Sequence, residues 1–389
     1  MLALKLAYKN LIGAGLRTWL NVFILSLAFV MIIWFKGMLD GWDRQAKFDS
    51  IAWEFGAGQY WSENYDPNDP FTLTESYRKI PDELLTDISE NKMAPVLVTQ
   101  GTIYPEGRMQ TIILKGIDPL QSFLSLPTAR LDTAISEIPA IIGSNMAESN
   151  HLEVGDIITL RWRDKNGTFD ANEIMITDIF STDVPAVDVG QVWIALDRLQ
   201  EMMLIPDYAT LIVVSDPARE YHDMEGWIFK DLTFLHSDID TIIKSKTVGG
   251  STFYFILLML AWLAIFDTQV LSIFRRQKEI GTYIALGMTK LQVVGLFTVE
   301  GAFHSILAVL LGAVYGIPLF IQQSMKGISF GMSGADYGIT MSATLYPVYT
   351  VGLVITTILI VVITTTIVSW LPARKISKMN PTEALKGKN

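Results

Sequence analysis

Gly327, Ser329 and Gly331 spell G-x-S-x-G, the spacing of a serine nucleophile on a sharp strand-to-helix turn. Such a turn needs a strand before it and a helix after it within an α/β sheet. Here the motif lies in a short Gly-rich stretch between two long apolar runs, so no catalytic serine is expected. His151, His222, His236 and His304 are scattered without i, i+4 or H-x-H spacing, which gives a metal centre no framework. The chain has no cysteine, so thiolate zinc sites, disulfides and cysteine nucleophiles are excluded. Asn166, Gly167 and Thr168 form a glycosylation sequon that a turn explains equally well. No G-x-x-x-x-G-K-[ST] loop is present to cradle a nucleotide phosphate. No catalytic residue, no metal and no cofactor is therefore expected, and ATP-driven work would need a separate subunit.

Two acids stand out because they fall inside apolar runs, where a charge is costly and by default functional: Asp267 and Glu300. Each lies about 8 residues from the same basic segment, ~12 Å along a helix, so the two could share a depth on neighbouring helices. One reading is a coupling pair that shares a proton or a cation. The other is local: Asp267 caps or hydrogen-bonds nearby and Glu300 reaches toward the interface. For Asp267 the local reading is preferred.

The elements around these residues follow from composition. Half the residues are hydrophobic and 18% are charged, against about a quarter charged in ordinary soluble domains. Mean hydropathy is positive. Runs long enough to cross a bilayer as helices cover residues 19–39, 252–274, 292–323 and 346–371. The first is too long for a signal peptide and lacks an A-x-A site, so it reads as a retained span. Flanking basic residues set orientation. Lys5, Lys9 and Arg17, then Arg275, Arg276, Lys278 and Lys290, then Arg374, Lys375, Lys378, Lys386 and Lys388 make 12 basic residues against the 2 acids Glu279 and Glu383. All three segments belong on one side, predicting cytoplasmic termini. Residues 40–250 then lie outside, with 16 basic and 35 acidic residues. The net charge of −10 argues against nucleic acid as a partner.

Length makes 40–250 a folded domain. Pro81 to Ile88 reads as a short amphipathic helix; Thr111–Leu114, Ile157–Arg163 and Glu173–Phe180 read as strands, the last two joined by a turn at Lys165, Asn166 and Gly167. Val192–Ile194 and Thr210–Val214 flank a helix at Leu196–Met203. The expected fold class is a membrane protein with four transmembrane helices and a large mixed α+β extracytoplasmic domain inserted between the first and second.

Residues 275–301, RRQKEIGTYIALGMTKLQVVGLFTVEG, resemble the coupling-helix region of FtsX-like permeases, E-R-x-x-E-I-G-x-x-x-A-L-G-M-T followed by a span with Glu-Gly. The match runs through Arg276, Glu279, Ile280, Gly281, Ala285, Leu286, Gly287, Met288, Thr289, Gln292, Glu300 and Gly301. Ala7 to Leu11, on an amphipathic stretch over residues 1–18, resemble the family's A-x-R-N-L opening. The tail 372–389 is similar to its closing P-A-x-K-x-x-x-x-x-P-x-E-A-L through Pro372, Ala373, Lys375, Pro381, Glu383, Ala384 and Leu385. GIDP at 116–119 and IIGSNMAESNHLEVGDIITL at 141–160 look like a MacB-like periplasmic core domain. GMLDGWDRQ and IFDTQVLSIFRRQKEIG look most like the LolC/LolE lipoprotein-releasing branch, although the hairpin Arg163–Glu173 is short and lacks that branch's proline-rich hook.

The resemblance implies a permease of the bacterial inner membrane with its large domain in the periplasm, working as a homodimer or with a paralogue. A cytoplasmic ABC ATPase, which would bind the ATP and magnesium, would dock on a coupling helix at 275–291 through Arg275, Arg276, Lys278, Glu279, Ile280, Gly281, Ala285, Leu286, Gly287, Met288, Thr289 and Gln292. Spans one and two would carry its stroke to the outer domain, extracting or exporting a lipoprotein or similar amphiphile from membrane lipid. Macrolide or peptide efflux, and non-transporting regulation of a cell-wall hydrolase, are the alternatives. Ala308, Gly312 and Gly316 make a small-xxx-small stripe for helix packing, within the subunit or across a dimer. Phe29, Ile32, Ile33, Phe253, Phe255, Ile256 and Met259 are expected to line an amphiphile groove between the first two spans. The outer loop 324–345 is short.

Overall fold

The computed structural model describes residues 16–69, 71–329 and 344–378. The expected amphipathic helix at 1–18, most of the loop 324–345, Gly331 of the G-x-S-x-G motif and the tail beyond residue 378 lie wholly or largely outside the described residues. The chain divides into two compact units, one from residues 1–42, 243–328 and 346–389, the other from 43–242 and 329–345.

The first unit is helical. Its helices are α1 (Leu16–Ser50), α2 (Ser237–Arg275), α3 (Gln277–Ala285), α4 (Lys290–Lys326) and α5 (Val351–Ala373), and α1, α2, α4 and α5 are long and apolar enough to cross a membrane. Both α1 and α2 outrun their apolar stretches of 19–39 and 252–274, because the flanking sequence stays helical. Lys36 and Asp40 pair at i, i+4 at 2.6 Å, and Lys47 bridges Asp43 at 2.9 Å. Helix α5 starts at Val351 instead of Tyr346, where the Thr350 hydroxyl accepts from the Leu353 amide at 3.2 Å.

Stripes at i+3 and i+4 meet in the middle of this unit: Val22, Leu25, Phe29 and Ile33 of α1, Leu258, Ala261 and Ile265 of α2, Ala308 of α4 and Val361 of α5. Leu263, Leu310, Ile355 and Ile363 point outward and exposed, as lipid-facing residues do. The small-residue stripe packs on α1. A Cβ at Gly312 would sit 3.0 Å from the Phe29 ring, and one at Gly316 would sit 3.0 Å from Val30. Close approach of α4 to α1 is what those glycines permit.

The second unit is mixed α+β. Its strands are β1 (Gly58–Ser62), β2 (Arg78–Lys79), β3 (Met93–Ile103), β4 (Gln110–Ile117), β5 (Ile138–Gly143), β6 (Ile157–Arg163), β7 (Phe169–Phe180), β8 (Gln191–Ala195), β9 (Tyr208–Ala209), β10 (Leu211–Val214) and β11 (Trp227–Lys230). Nine of them run in the order β11-β1-β10-β3-β4-β8-β5-β7-β6, and β6 returns to pair with β3. Six strands therefore close a barrel, and β10, β1 and β11 extend from β3 as a flap. The long strand β3 makes this possible by using one edge twice. Met93–Val96 pair with β10, and Gly101–Ile103 pair with β6. Between them the Val98 amide donates to the Thr210 hydroxyl at 3.0 Å, so the junction keeps its backbone satisfied.

Leu97, Leu114, Ile142, Leu160, Ile174 and Ile194 fill the barrel. Alternate residues on the same strands, Val98, Ile141 and Trp193, face a second core under Leu124, Leu126 and Leu131. The hairpin β6–β7 pairs Ile157 through Arg163 with Met175 through Phe169 around a turn whose Gly167 has φ +84°. The region from Pro81 is a 3-10 turn, Asp82–Leu84, running into the helix Leu85–Ser89.

Beyond the straight part of α1 the backbone makes a π turn, Ile51–Phe55. It places Glu54 in a buried ion pair with Lys115 at 3.3 Å, the lysine lying 4.8 Å from the Trp193 ring centroid. Trp53 stacks on Phe180 with ring centroids 5.5 Å apart. The π turn thus carries both contacts, through Trp53 and Glu54.

Candidate functional site

Between α2 and α4 the sequence encodes a tight helical hairpin, and its motif residues have separate physical duties. Helix α3 ends in a Schellman arrangement: the Gly287 amide donates to the Ile284 carbonyl at 3.1 Å and the Met288 amide to the Tyr283 carbonyl at 3.0 Å. Gly287 has φ +98°, a conformation that residues with a Cβ rarely adopt. Immediately afterwards Thr289 caps α4 in a reciprocal box. Its hydroxyl accepts from the Gln292 amide at 3.3 Å, and its own amide donates to Gln292 Oε1 at 2.9 Å. Gly287, Thr289 and Gln292 thus fix the turn.

Ile280 and Gly281 face inward, with Ile280 in a cluster of Ile273, Val293, Phe297, Ala373 and Ile376. Lys278, Ala285, Leu286, Thr289, Leu291 and Gln292 stay exposed. Leu286 and Leu291 are each 79% exposed at the tip of the hairpin. Two bare leucines flanking a rigid turn make an exposed apolar knob, a surface suited to a protein partner.

Arg276 ties the hairpin to its base. Its Nη1 donates to both carboxylate oxygens of Glu300, at 3.1 and 2.9 Å, while Nε donates to Glu279 Oε2 at 2.7 Å. The guanidinium also lies 4.8 Å from the centroid of the Phe297 ring. Glu300 is therefore buried with a cation partner, Arg276. The cation beside Glu300 is supplied by Arg276, the residue that follows the end of α2. Phe297 was not singled out from the sequence. Its position one turn before Glu300, on the same face of α4, is the signal that would have found it.

Next to Glu300, Gly301 is a close-approach position. A Cβ there would overlap Ser369 of α5 and come within 3.1 Å of Gln269 of α2. Three helices thus meet on one glycine, directly behind the Arg276–Glu300 pair.

The expected amphiphile groove does not survive as a unit. Phe29, Ile32 and Ile33 are buried in the helical core, where Phe29 packs on Gly312, so they line no groove. Phe253, Phe255, Ile256 and Met259 are exposed on α2. Equal hydrophobicity hid the difference; only the helix faces separate them. The histidines also stand apart. His151 caps a short helix in the left-handed region, His236 is buried beside the Phe55 ring, and His304 Nδ1 contacts the Glu300 carbonyl at 3.1 Å.

Residues 251–381 match the family model described as FtsX-like permease C-terminal. The chain is 26% identical over 159 residues to the macrolide export ATP-binding/permease protein MacB of Burkholderia cenocepacia, covering 39% of this chain and 21% of that protein. It is 23% identical over 247 residues to MacB of Agrobacterium fabrum, covering 60% of this chain and 35% of that protein. It is 29% identical over 130 residues to an uncharacterized ABC transporter permease of Methanocaldococcus jannaschii, covering 33% and 30%. The matched parts span between a fifth and about a third of those relatives' lengths. With four apolar helices and a matched permease region, the chain is a membrane protein similar to the FtsX and MacB type of ABC transporter permease.

Proposed function

We propose that this chain is the permease subunit of an ABC transporter whose separate cytoplasmic ATPase docks on the hairpin from Arg275 to Gln292. In this reading the termini and the hairpin are cytoplasmic, and residues 43–242 lie in the periplasm of a bacterial inner-membrane protein that works as a homodimer or beside a paralogue. The ATPase supplies ATP and magnesium. Its closure moves the hairpin, and α1 and α2, which contribute residues to both units, carry the stroke outward to extract or export a lipoprotein or similar amphiphile. The observation that carries the docking assignment is the pair of exposed leucines, Leu286 and Leu291, on a turn whose geometry is fixed from both sides. A stroke needs a stiff contact surface, and a Schellman cap joined to a capping box supplies one.

The test is recovery of the tagged full chain from its native membrane followed by mass spectrometry. A cytoplasmic ABC ATPase should come with it in stoichiometric amount, and Leu286→Asp with Leu291→Asp should remove the ATPase while the chain stays inserted. No ATPase under conditions that preserve other complexes overturns the reading. Macrolide or peptide efflux is the second reading, supported by the likeness to the macrolide export proteins MacB. An adaptor and outer channel in the same preparation, in place of bound lipoprotein, would decide for it.

A further inference from the structure

The second unit contains a cavity of about 570 Å³ bounded by the end of the π turn, by β1 and β11, and by the first residues of α2. Glu54 and Phe55 line it near the start of this unit's long segment, and Ser237 and Asp238 near its end. Trp61, Tyr65 and Phe234 form its aromatic wall. Trp61 meets Tyr65 edge-on at 5.1 Å and Phe234 edge-on at 5.7 Å between centroids. Such a box of ring faces and edges is what holds an ammonium group in cation–π recognition.

One ammonium is already there. Lys230 Nζ lies 4.3 Å from the Phe234 centroid and 5.7 Å from that of Trp61. It has no carboxylate within 4.0 Å among the described residues, so the rings alone hold it. The lining is otherwise acidic, with Glu54, Glu63, Asp66 and Asp238 against this single lysine. Glu54 and Glu63 are spoken for by Lys115 and Arg78, and Asp66 caps the Asn68 amide at 2.9 Å, yet the cavity as a whole carries surplus negative charge. Phe234 is 48% exposed, so the aromatic wall opens to the outside.

We infer that this cavity binds a cationic amphiphile, whose ammonium group takes the place of Lys230 over Phe234 and Trp61 while its apolar part lies along Leu211 and Ile228. The inference rests on the amphiphile-handling reading above. Lys230 is then an internal competitor: it keeps the ring faces covered until a ligand cation displaces it. An anionic head group fits less well, because against the one lysine it would face Asp66 and Asp238, the lining carboxylates that Lys115 and Arg78 do not pair.

The test uses the full chain in zwitterionic nanodiscs, with empty nanodiscs subtracted, titrated calorimetrically with decyltrimethylammonium and with decyl sulfate below their micellar concentrations. The ammonium probe should show saturable excess binding, and the sulfate should not. Phe234→Ala, at a half-exposed position that leaves the fold intact, should weaken the ammonium probe about tenfold, and Lys230→Gln should tighten it about threefold, within the range of desolvated cation–π contacts. Preference for the sulfate, weaker binding in Lys230→Gln, or no excess over empty nanodiscs overturns the inference. No ATPase is needed for this measurement, so a negative result with the ATPase still co-purifying removes the cavity assignment alone. Binding with no ATPase recovered would instead remove the transporter reading and leave the site.

Discussion

Arg276 and Glu300 are 24 residues apart in sequence and joined by two hydrogen bonds, at 3.1 and 2.9 Å from one guanidinium nitrogen to both carboxylate oxygens. One residue opens the exposed hairpin and the other is 7% exposed within α4. This ion pair fastens the proposed docking hairpin to the helical unit, and it gives Glu300 the partner that a buried acid requires.

Replacing one member should strand the other. Arg276→Ala or Glu300→Gln is expected to cost roughly 3–5 kcal/mol, toward the low end because the arginine is partly solvated. The double variant should cost less than the sum. Thermal unfolding of the four proteins in nanodiscs gives the coupling energy, and additive losses would show that the pair carries none.

Gly301 should tolerate no side chain while Ser369 stays. Gly301→Ala is expected to lower the unfolding midpoint, and Ser369→Gly in the same chain should restore much of it, because the overlap is with that residue's Cβ and Oγ. If the second substitution gives no recovery, the three-helix contact is placed wrongly.

The π-turn contact follows similar logic in the second unit. Glu54→Gln leaves Lys115 buried without its carboxylate, at a cost of about 3 kcal/mol. Glu54→Gln combined with Lys115→Met should be nearer wild type. Limited proteolysis around residues 50–60 reports it, with faster cleavage expected in the single variant only.

Burial, and to a smaller extent the charge of Lys47, holds His236 below its ordinary value near 6.5. A group lowered in the folded state contributes stability that is complete above the unfolded value and is lost as pH falls through the folded one. The second unit should therefore weaken as pH falls below about 6.5, and His236→Gln should flatten that part of the profile. Identical slopes for the two proteins in denaturant titrations at pH 7.5, 6.5 and 5.0 would exclude this role.

Replacing Gly287 tests the hairpin turn itself. Gly287→Ala meets no neighbour, since nothing lies within 4 Å of the added Cβ, so its effect is purely conformational. A cost of about 1 kcal/mol is expected at this positive φ, together with weaker ATPase recovery. Unchanged recovery would mean that the turn geometry is irrelevant to docking.

The sequence by itself determined the four apolar helices, the basic segments beside them and the residues of the hairpin, because helix length, charge and capping are local properties that neighbours in the chain decide. Gly287, Thr289 and Gln292 are marked by the resemblance of 275–301 to the FtsX-like coupling segment, and the β6–β7 hairpin is placed by its alternation and its turn. What the tertiary structure alone decided were the pairings over distance. Glu300 found Arg276, since which face of each helix turns inward depends on how all the helices pack. Phe29, Ile32 and Ile33 went to the core and Phe253, Phe255, Ile256 and Met259 to the outside for the same reason: in a chain destined for lipid, buried and lipid-facing positions are equally apolar, and composition cannot tell them apart. The barrel, too, exists only because β6 returns to β3 across more than fifty residues, and the aromatic box around Lys230 gathers strands and helix ends that no local pattern connects.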